Sequence, residues 1–411
     1  MCSKVVQTLG EVIASGYNLA LAHNDAADRH FVGIIGVHGF SHRHTHVLLI
    51  DFGGNFFQCC VIWGARYVYF APRFIAMQAG STHRILVATL DWGIGHATRC
   101  APLIDRWLAA GHEVVLASNG RSAAWLTARY PQLELLNDIP DYSVTYPSRG
   151  SITLHLATHL LRLRKVVQAE HKWLDRIIKE KNIHQVCSDN RYGLYHADVP
   201  CTLITHQLYL RVPTLFRWFV GKWLNCYLKQ FRGLWIPDYE RESNLSGLLS
   251  HGGKWDKKAL FIGPLSRFHA ALKTEEMPYR VVAIVSGPEP KRTHFEKQLR
   301  NLLSQLECPA LLVLGKPEEP VHEQNGMVHI VNDLADSELA SALKGAQLVV
   351  CRSGYSTLMD LHQLEVQALL VPTPGQSEQE YLARHHALQG THHRLDQHKL
   401  NLTTLKAALK Q

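Results

Sequence analysis

The feature of this sequence that most limits its fold is an alternation of short β-branched runs with stretches of helical periodicity. From Arg84 the run Arg84 to Thr89 is followed by a helical stretch, Ala97 to Ala110, and by a second run, Glu113 to Ala117. Similar runs continue as far as Ile262. This order predicts parallel strands joined by right-handed crossover helices. We therefore predict a Rossmann-like domain over residues 84–262.

The same alternation starts again at Tyr279, after a turn-rich connection. Its strand-like runs begin at Val281, Ala310, Val328 and Leu348, with helical periodicity between them. We predict a second Rossmann-like domain over residues 279–395 and a tail helix over residues 396–411. The fold class is therefore α/β, with two doubly wound sheets. Such sheets bind ligands at the carboxyl ends of their strands, in a cleft.

The first eighty residues lack this alternation. An apolar run from Val47 to Val68 is interrupted by Asp51 and Arg66, which makes it a poor transmembrane helix, and no signal-peptide pattern precedes it. We expect residues 1–80 to form an irregular extension that need not belong to the native fold. A membrane anchor is the less favoured alternative.

Composition narrows the class of partner. The 411 residues carry a formal charge of +8, which favours an anionic partner such as nucleic acid, a phosphorylated substrate or a membrane surface. No nucleic-acid recognition motif is present, so nucleic acid is the least favoured of these. The nine cysteines are scattered, without zinc-site or disulfide spacing, which indicates a reducing cytoplasm. No metal or other cofactor is expected.

The loop after the first strand of the N-terminal series carries candidate catalytic chemistry. Gly93 and Gly95 allow a ligand to approach closely, and His96 opens the following helix. Histidine suits a general base near neutral pH, although a helix-start histidine satisfied by backbone remains an alternative. A dinucleotide site would need a third glycine where Thr98 stands.

Two loops in the C-terminal series suit phosphate. Arg352 to Thr357 joins an apolar strand to a helix, and its small residues predict an anion-binding nest. Ser286-Gly287 forms a similar, weaker turn. Asp360 lies one helical turn further on and can accept hydrogen bonds from ribose hydroxyls. The alternative is that Ser356 only caps the helix and Asp360 is solvated.

These stretches, from Leu348 through Pro372 to Tyr381, resemble the C-terminal domain of glycosyltransferase family 28, in the GT-B superfamily. The family includes the N-acetylglucosamine transferase that forms lipid II. The resemblance is specific over His329 to Ala383 and looser in the N-terminal half. It implies a GT-B fold, a UDP-sugar bound by the C-terminal domain, an acceptor on the N-terminal domain, and inversion without a metal ion.

The resemblance also implies roles for individual donor-side residues. Uracil would lie against Ile330-Val331, the diphosphate on the two phosphate loops, the ribose on Asp360, and the sugar hydroxyls on Gln379. Asp360 replaces the usual glutamate, and Glu380 replaces a second glutamine, so the sugar is undetermined. The predicted donor-binding set is Ser286, Gly287, Ile330, Val331, Arg352, Ser353, Gly354, Tyr355, Ser356, Thr357, Asp360 and Gln379.

On the acceptor side, we predict His96 as the catalytic base, with Asp189 in reserve. The segment from Leu208 to Trp235 mixes basic and aromatic residues at helical spacing, which suits an anionic membrane surface; core packing with a solvated basic face is the alternative. The predicted acceptor-side set is Gly93, Gly95, Asn190, Arg191, His206 and Gln207. For Asn190 and Arg191, a structural loop network is the equal alternative.

Taken together, these features predict a cytoplasmic glycosyltransferase, associated with the inner face of the membrane, that acts in the cell envelope. It would move an N-acetylhexosamine or hexose from a UDP-sugar to a hydroxyl of a carbohydrate or lipid-linked acceptor. A UDP-sugar epimerase of the same fold and a non-catalytic UDP-sugar-binding protein are the alternatives. The partners expected are therefore the donor, the acceptor and an anionic membrane surface, with no nucleic acid.

Overall fold

The computed structural model divides the chain into two compact units, Met1–Ser81 and Thr82–Gln411. The described residues are 32–38, 45–51, 58–63, 66–68, 82–142, 152–209, 214–241, 243–251, 253, 259–268, 277–316 and 321–410. In this part of the chain, no helix is both long enough and apolar enough to cross a membrane.

The first unit contains one antiparallel sheet. Its strands lie in chain order, and each pairs with the next. They are β1 (Val32–His38), β2 (Thr45–Asp51), β3 (Gln58–Trp63) and β4 (Arg66–Val68). The irregular extension predicted for residues 1–80 therefore does not describe these segments. Their alternation of apolar and polar residues is weak, which is why the sequence pattern missed them.

The second unit begins with a seven-stranded parallel sheet, in the order β11-β10-β9-β8-β5-β6-β7. We call this part the N-terminal domain. Its strands are β5 (Arg84–Thr89), β6 (Glu113–Ala117), β7 (Leu135–Leu136), β8 (Gln185–Asp189), β9 (Cys201–Ile204), β10 (Gly233–Ile236) and β11 (Ala259–Phe261). Its helices are α1 (Gly95–Ala109), α2 (Gly120–Arg129), α3 (Ile152–Lys181) and α4 (Thr214–Leu228), with a short 3-10 turn at Gly247–Leu249.

A second seven-stranded sheet follows, in the order β14-β15-β13-β12-β16-β17-β18, and forms the C-terminal domain. All neighbours are parallel except β14 and β15. The strands are β12 (Val281–Ile284), β13 (Ala310–Val313), β14 (His322–Asn325), β15 (Val328–Val331), β16 (Leu348–Cys351), β17 (Leu369–Leu370) and β18 (His393–Arg394). The helices are α5 (Lys291–Leu303), α6 (Asp336–Gly345), α7 (Tyr355–Leu364), α8 (Ser377–Leu388) and α9 (Leu402–Ala408), with a 3-10 turn at Gln397–Lys399. The predicted α/β class with two doubly wound sheets is confirmed.

The central strands of both sheets are buried on both faces. In β5 the residues from Ile85 to Ala88 are fully buried, and in β12 so are those from Val281 to Ala283. Strands covered on both sides are continuously apolar rather than alternating. This burial explains why the uninterrupted apolar runs in the sequence located these strands correctly.

The predicted tail helix over residues 396–411 is shorter and less separate than expected. Helix α9 begins after Asn401, whose side chain accepts a hydrogen bond from the backbone N–H of Thr404. Leu400 and Leu405 are buried in the core of the C-terminal domain, against residues of α5 and β13. The tail therefore belongs to the C-terminal domain.

Two buried histidines make the stability of this fold sensitive to acid. His386 is 1% exposed, and its Nε2 donates to the backbone carbonyl of Leu245. Burial, reinforced by His392 and His385, lowers the pKa of His386 to about 3. Burial, reinforced by His362 and His393, lowers that of His392 to about 4. Both rings are therefore neutral in the folded protein.

We expect the free energy of unfolding to fall as the pH drops from about 6.5 towards 4. In this window the unfolded chain binds protons that folded His386 and His392 reject, at up to about 1.4 kcal/mol per pH unit for each ring. Urea unfolding at a series of pH values measures the slope. His386→Gln should reduce the slope of the unfolding free energy against pH. His294→Gln changes an exposed residue of α5 and should leave this slope unchanged. Equal slopes in all three proteins would contradict the assignment.

Candidate active site

The loops at the carboxyl ends of the two sheets touch each other. Ser356, at the start of α7, donates from its Oγ to the carbonyl oxygen of Gly95, at the start of α1, at 2.7 Å. A Cβ atom added at Gly95 would lie 3.1 Å from this Oγ. A side chain at this position would therefore require Ser356 to shift by a few tenths of an ångström. Two predicted site residues, one from each domain, are brought together here.

The predicted base, His96, lies in a buried polar cluster of the N-terminal domain. It shares one face of α1 with Arg99, three residues later. His96 Nδ1 lies 2.8 Å from Arg99 Nη2 and 3.3 Å from Asp189 Oδ2, at the end of β8. Arg99 also donates from Nε and Nη2 to the two carboxylate oxygens of Asp189. The ion pair between Arg99 and Asp189 thus joins the start of α1 to the end of β8.

These contacts determine the charge state of the cluster. Burial, reinforced by Arg99, lowers the pKa of His96, and Asp189 only partly opposes this effect. Burial acts to raise the pKa of Asp189, but Arg99 and His96 hold it below its usual range. An arginine can only donate, so its contact with Nδ1 leaves the proton of a neutral His96 ring on Nε2.

Asp189 does not suit the reserve role of base. Its side chain is fully buried and both carboxylate oxygens are bound by Arg99. A base must reach the proton that it removes. Asp189 instead orients its neighbours.

A residue missed by the sequence analysis joins the two domains beside this cluster. Glu378, at the start of α8, accepts a hydrogen bond from His206 Nε2 at 2.8 Å and another from Gln207 Nε2. The ring of His206 stacks on that of Tyr355, with centroids 4.0 Å apart and planes at 5°. The predicted acceptor-side residues His206 and Gln207 therefore contact the C-terminal domain directly. Glu378 could have been noticed only as the neighbour of Gln379.

Several predicted donor ligands are occupied inside the C-terminal domain. The Arg352 guanidinium is fully buried over the ring of Phe295, donates to the carbonyls of Val371 and Pro372, and burial lowers its pKa to about 10. The Arg352 side chain therefore has its hydrogen-bond partners inside the C-terminal domain. The Arg352 side chain stabilises the loop after β17 through these hydrogen bonds.

Ser353 and Gln379 serve the same loops. Ser353 Oγ donates to the backbone carbonyl of Gln379, and Gln379 Oε1 accepts from the backbone N–H of Thr373. Both side chains are buried. They hold the β16 and β17 loops together, so the donor contacts predicted for them are not present in this conformation.

The other residues of the two loops predicted to bind phosphate, Arg352 to Thr357 and Ser286-Gly287, have fewer contacts inside the domain. Gly354 precedes α7, and Tyr355, Ser356 and Thr357 form its first turn, where backbone N–H groups lack partners within the helix. Tyr355 itself is buried, and its hydroxyl donates to the carbonyl of Pro237. The Ser286-Gly287 loop follows β12, which pairs with β16. Gly287 has a φ of +107°, and a Cβ atom added there would lie 3.3 Å from Thr373 Oγ1.

Asp360 is not solvated, contrary to the alternative considered for it. Its carboxylate accepts a hydrogen bond from Ser266 Oγ at 2.6 Å, and Arg267 Nε lies 3.8 Å away. Burial raises the pKa of Asp360 to about 6, against the opposing charge of Arg267. Arg267, in the connection between the domains, is 8% exposed, and neither its Nε nor its Nη1 makes a hydrogen bond.

Further buried polar atoms without hydrogen-bond partners lie just past strand ends. Asn332, one residue beyond β15, has neither amide atom bonded. Thr373 Oγ1 and Gln376 Oε1 follow β17, and Asn190 Oδ1 follows β8. Buried polar atoms in proteins are nearly always paired, because an unpaired group costs about 1–3 kcal/mol. Three of these residues follow strands of the C-terminal sheet, and this edge indicates a place for a polar ligand. Other unpaired buried atoms lie in helices, at His171, Trp173 and Trp223.

The predicted uracil contact, against the backbone near Ile330-Val331, lies directly beside this group of unpaired atoms at the C-terminal sheet edge. Ile330 and Val331 lie within β15, and the carbonyl of Val331 already accepts from Leu314. The groups without partners begin one residue later, at Asn332.

Arg191 is another predicted ligand with a structural role. It is 1% exposed, donates to Glu170 at 2.7 Å, and contacts the carbonyls of Thr89 and Pro140. The Arg191 guanidinium is therefore part of a buried loop network. Gly93, by contrast, has open space around it at φ +99°.

A pocket of about 820 Å³ lies between the domains, beside Asn332. Trp125 and Arg129 of α2 line one side, and His329, Asp333 and Asp336 line the other. The volume is in the range of small-molecule sites. Among the residues that the model describes, no three His, Cys, Asp or Glu side chains are grouped to hold a metal ion.

Comparisons with known proteins agree with this architecture. Residues 316–411 match the model of the glycosyltransferase family 28 C-terminal domain. An uncharacterized glycosyltransferase of Methanosarcina mazei is 23% identical over 316 residues, covering 72% of this chain and 81% of the relative. One from Methanosarcina acetivorans is 24% identical over 319 residues, with the same coverage.

Solved structures resemble the fold. The calicheamicin glycosyltransferase CalG4 superposes with a TM-score of 0.55 at 12% identity, covering 80% of this chain and 89% of that one. The glycotransferase of kitacinnamycin gives a TM-score of 0.54 at 16% identity, covering 80% and 90%. Residues 316–411 are thus similar to the glycosyltransferase family 28 C-terminal domain, and the two facing Rossmann-like sheets have the fold of these solved glycosyltransferases.

Proposed function

We propose that this protein is a glycosyltransferase that moves a sugar from a UDP-sugar to an acceptor hydroxyl, with inversion and without a metal ion. The observation that carries the proposal is the group of unpaired polar atoms at the strand ends of the C-terminal domain. A nucleoside diphosphate sugar offers hydroxyls, carbonyls and phosphate oxygens to such atoms. The Asn332 amide has one donor group and one acceptor atom, which suits the imide edge of uracil.

The rest of the donor would follow the same edge of the sheet. The Asp360 carboxylate would give up the hydrogen bond that it accepts from Ser266 and accept hydrogen bonds from the ribose hydroxyls instead. The unpaired nitrogens of Arg267 would donate hydrogen bonds to the nucleoside. The diphosphate would lie at the first turn of α7, where free N–H groups and the positive end of the helix dipole favour anions. These fixed dipoles stabilise the leaving group as charge develops on it.

His96 would take the proton from the acceptor hydroxyl. For this, its ring proton must lie on Nδ1, directed at Asp189 Oδ2, so that Nε2 is free to accept. The distance of 3.3 Å to this oxygen allows the exchange once Arg99 Nη2 withdraws from Nδ1. The lowered pKa of His96 keeps the ring neutral and available near neutral pH. General-base catalysis contributes roughly 10²–10⁴-fold.

A lipid-linked acceptor is supported by α4. Trp218 is 64% exposed, and the ammonium of Lys222 lies 5.2 Å from its ring centroid. An exposed tryptophan beside a lysine suits the headgroup region of an anionic membrane. Not all of the segment fits this role, because Trp223 packs against Tyr192 and Tyr227. Arg211 and the Arg217 side chain lie outside the described residues.

The donor assignment is tested by thermal unfolding with UDP, UDP-sugars, GDP and dTDP. A ligand at about 100 times its Kd stabilises the folded state by about 2.7 kcal/mol, so UDP compounds should raise Tm by several degrees. Asn332→Ala should weaken UDP binding about tenfold without lowering Tm in the absence of ligand, because its amide is unpaired. Asn301→Ala, on the exposed face of α5, is the matched control. No stabilisation by any UDP compound would refute the donor assignment.

The base is tested by His96→Gln. We expect kcat for transfer to fall by roughly 10²–10⁴-fold, because the acceptor hydroxyl loses its proton acceptor. UDP affinity should stay within about twofold. Transfer is measured with labelled UDP-sugars and a membrane extract, with His294→Gln as the control. A His96→Gln enzyme with wild-type kcat would exclude His96 as the base.

Membrane association is tested by co-sedimentation with vesicles. The protein should bind vesicles that contain phosphatidylglycerol more strongly than neutral ones, and salt should weaken binding because the attraction is electrostatic. Trp218→Ala should reduce binding several-fold. Leu388→Ala removes a side chain that is 83% exposed on α8 and should have no effect. Equal binding by both variants would argue against α4 as the membrane face.

A further inference from the structure

A continuous series of polar side chains crosses the cleft between the domains. It runs from Glu378 at the start of α8 to His206 after β9, then to Arg99 and His96 in α1. We call these four residues the cross-cleft chain. Apart from Glu378, each side chain is at most 15% exposed. Water therefore competes little for these contacts.

The direction of the first hydrogen bond follows from charge. Burial opposes ionisation of Glu378, but the hydrogen bond from His206 and the charge of Arg99 hold its pKa below the usual range. An ionised carboxylate only accepts, so His206 Nε2 must carry a proton. In a neutral ring, His206 Nδ1 is then unprotonated. Arg99 Nη1, which lies 3.3 Å away, can donate to it.

The opposite tautomer of His206 would disturb Arg99. A proton on Nδ1 would face the Nη1 hydrogens, and two donors cannot share this contact. Arg99 would then have to tilt about its bonds to Asp189, which hold the guanidinium at Nε and Nη2. The Nη2 group that tilts with it is also the donor to His96 Nδ1, at 2.8 Å. The tautomer of one ring therefore affects that of the other.

We propose that Glu378 is a positioning residue that holds His96 in a resting tautomer: by fixing the tautomer of His206, it keeps Arg99 on His96 Nδ1 and the His96 proton on Nε2, so that Nε2 cannot accept a proton until Arg99 withdraws. The inference rests on the proposed role of His96 as the base. Glu378 belongs to the C-terminal domain and His96 to the N-terminal domain. The contact between the domains thus determines which nitrogen of His96 can accept a proton.

Other groups around the chain do not replace Glu378. Asp189 binds Arg99 and lies near His96, and Cys100 Sγ is 3.5 Å from Asp189 Oδ2. All four residues belong to the N-terminal domain. Gln207 is neutral and also bonds to Glu378. Glu378 is therefore the charged group through which α8 acts on this cluster, and Asp189 keeps Arg99 in place when Glu378 is changed.

The inference is tested by nitrogen NMR on the full chain with ¹⁵N-labelled histidine. The ring nitrogens of His96 and His206 are identified by their loss in His96→Gln and His206→Gln. In the wild type, both Nδ1 atoms should resonate as unprotonated nitrogens. In Glu378→Ala, His206 should show a mixture of tautomers, and His96 Nδ1 should shift towards the protonated position.

Two further variants separate positioning from a general loss of structure. Glu378→Gln keeps an oxygen that accepts from His206 Nε2, so it should restore the wild-type resonances. Glu323→Gln removes a carboxylate at the exposed edge strand β14, where it pairs with Arg300, and should leave both rings unchanged. Unchanged rings in Glu378→Ala, or equal shifts in Glu323→Gln, would overturn the inference.

Binding of UDP distinguishes a positioning residue from a donor ligand. Glu378→Ala should bind UDP within about twofold of the wild type, and a loss of tenfold or more would mean that Glu378 contacts the donor, which overturns the inference. The NMR readout does not depend on turnover. An inactive wild type would therefore count against the proposed function and leave the tautomer result intact.

Discussion

The buried pair of Arg99 and Asp189 is the interaction on which the rest of the site depends. It joins the first turns of α1 to the end of β8, and both side chains are almost completely withdrawn from water. Removing one partner of such a pair leaves an uncompensated charge in the interior, at a cost of about 3–5 kcal/mol. The pair therefore holds Arg99 where its remaining hydrogens can reach two histidines. Both His96 and His206 take their orientation from it.

The fold was largely predictable because burial on both faces makes parallel strands continuously apolar. The runs at β5, β12 and β16 are of this kind, and each was located within a residue or two. Short edge strands are a different matter. The edge strand β18 has only two residues, and the edge strand β14 is fully polar and exposed. Their pairing depends on neighbours distant in sequence, which no local pattern records.

The site was predictable by position but less so by role. Arg352, Ser353, Gln379 and Arg191 stand at the edges of the predicted cleft, yet their side chains turn inward and hydrogen-bond to the backbone of neighbouring loops. A polar residue in a loop after a strand can either bind a ligand or support the loop, and sequence alone does not distinguish these outcomes. Glu378 shows the converse, because its importance comes from a partner 172 positions away.

The close approach at Gly95 has a consequence for the contact between the two domains. Its carbonyl accepts from Ser356 Oγ, and a Cβ atom here would lie 3.1 Å from that oxygen. A methyl group would therefore require Ser356 to move by a few tenths of an ångström, which would lengthen or break this hydrogen bond. The hydrogen bond between the domains at this point thus depends on the small size of one residue.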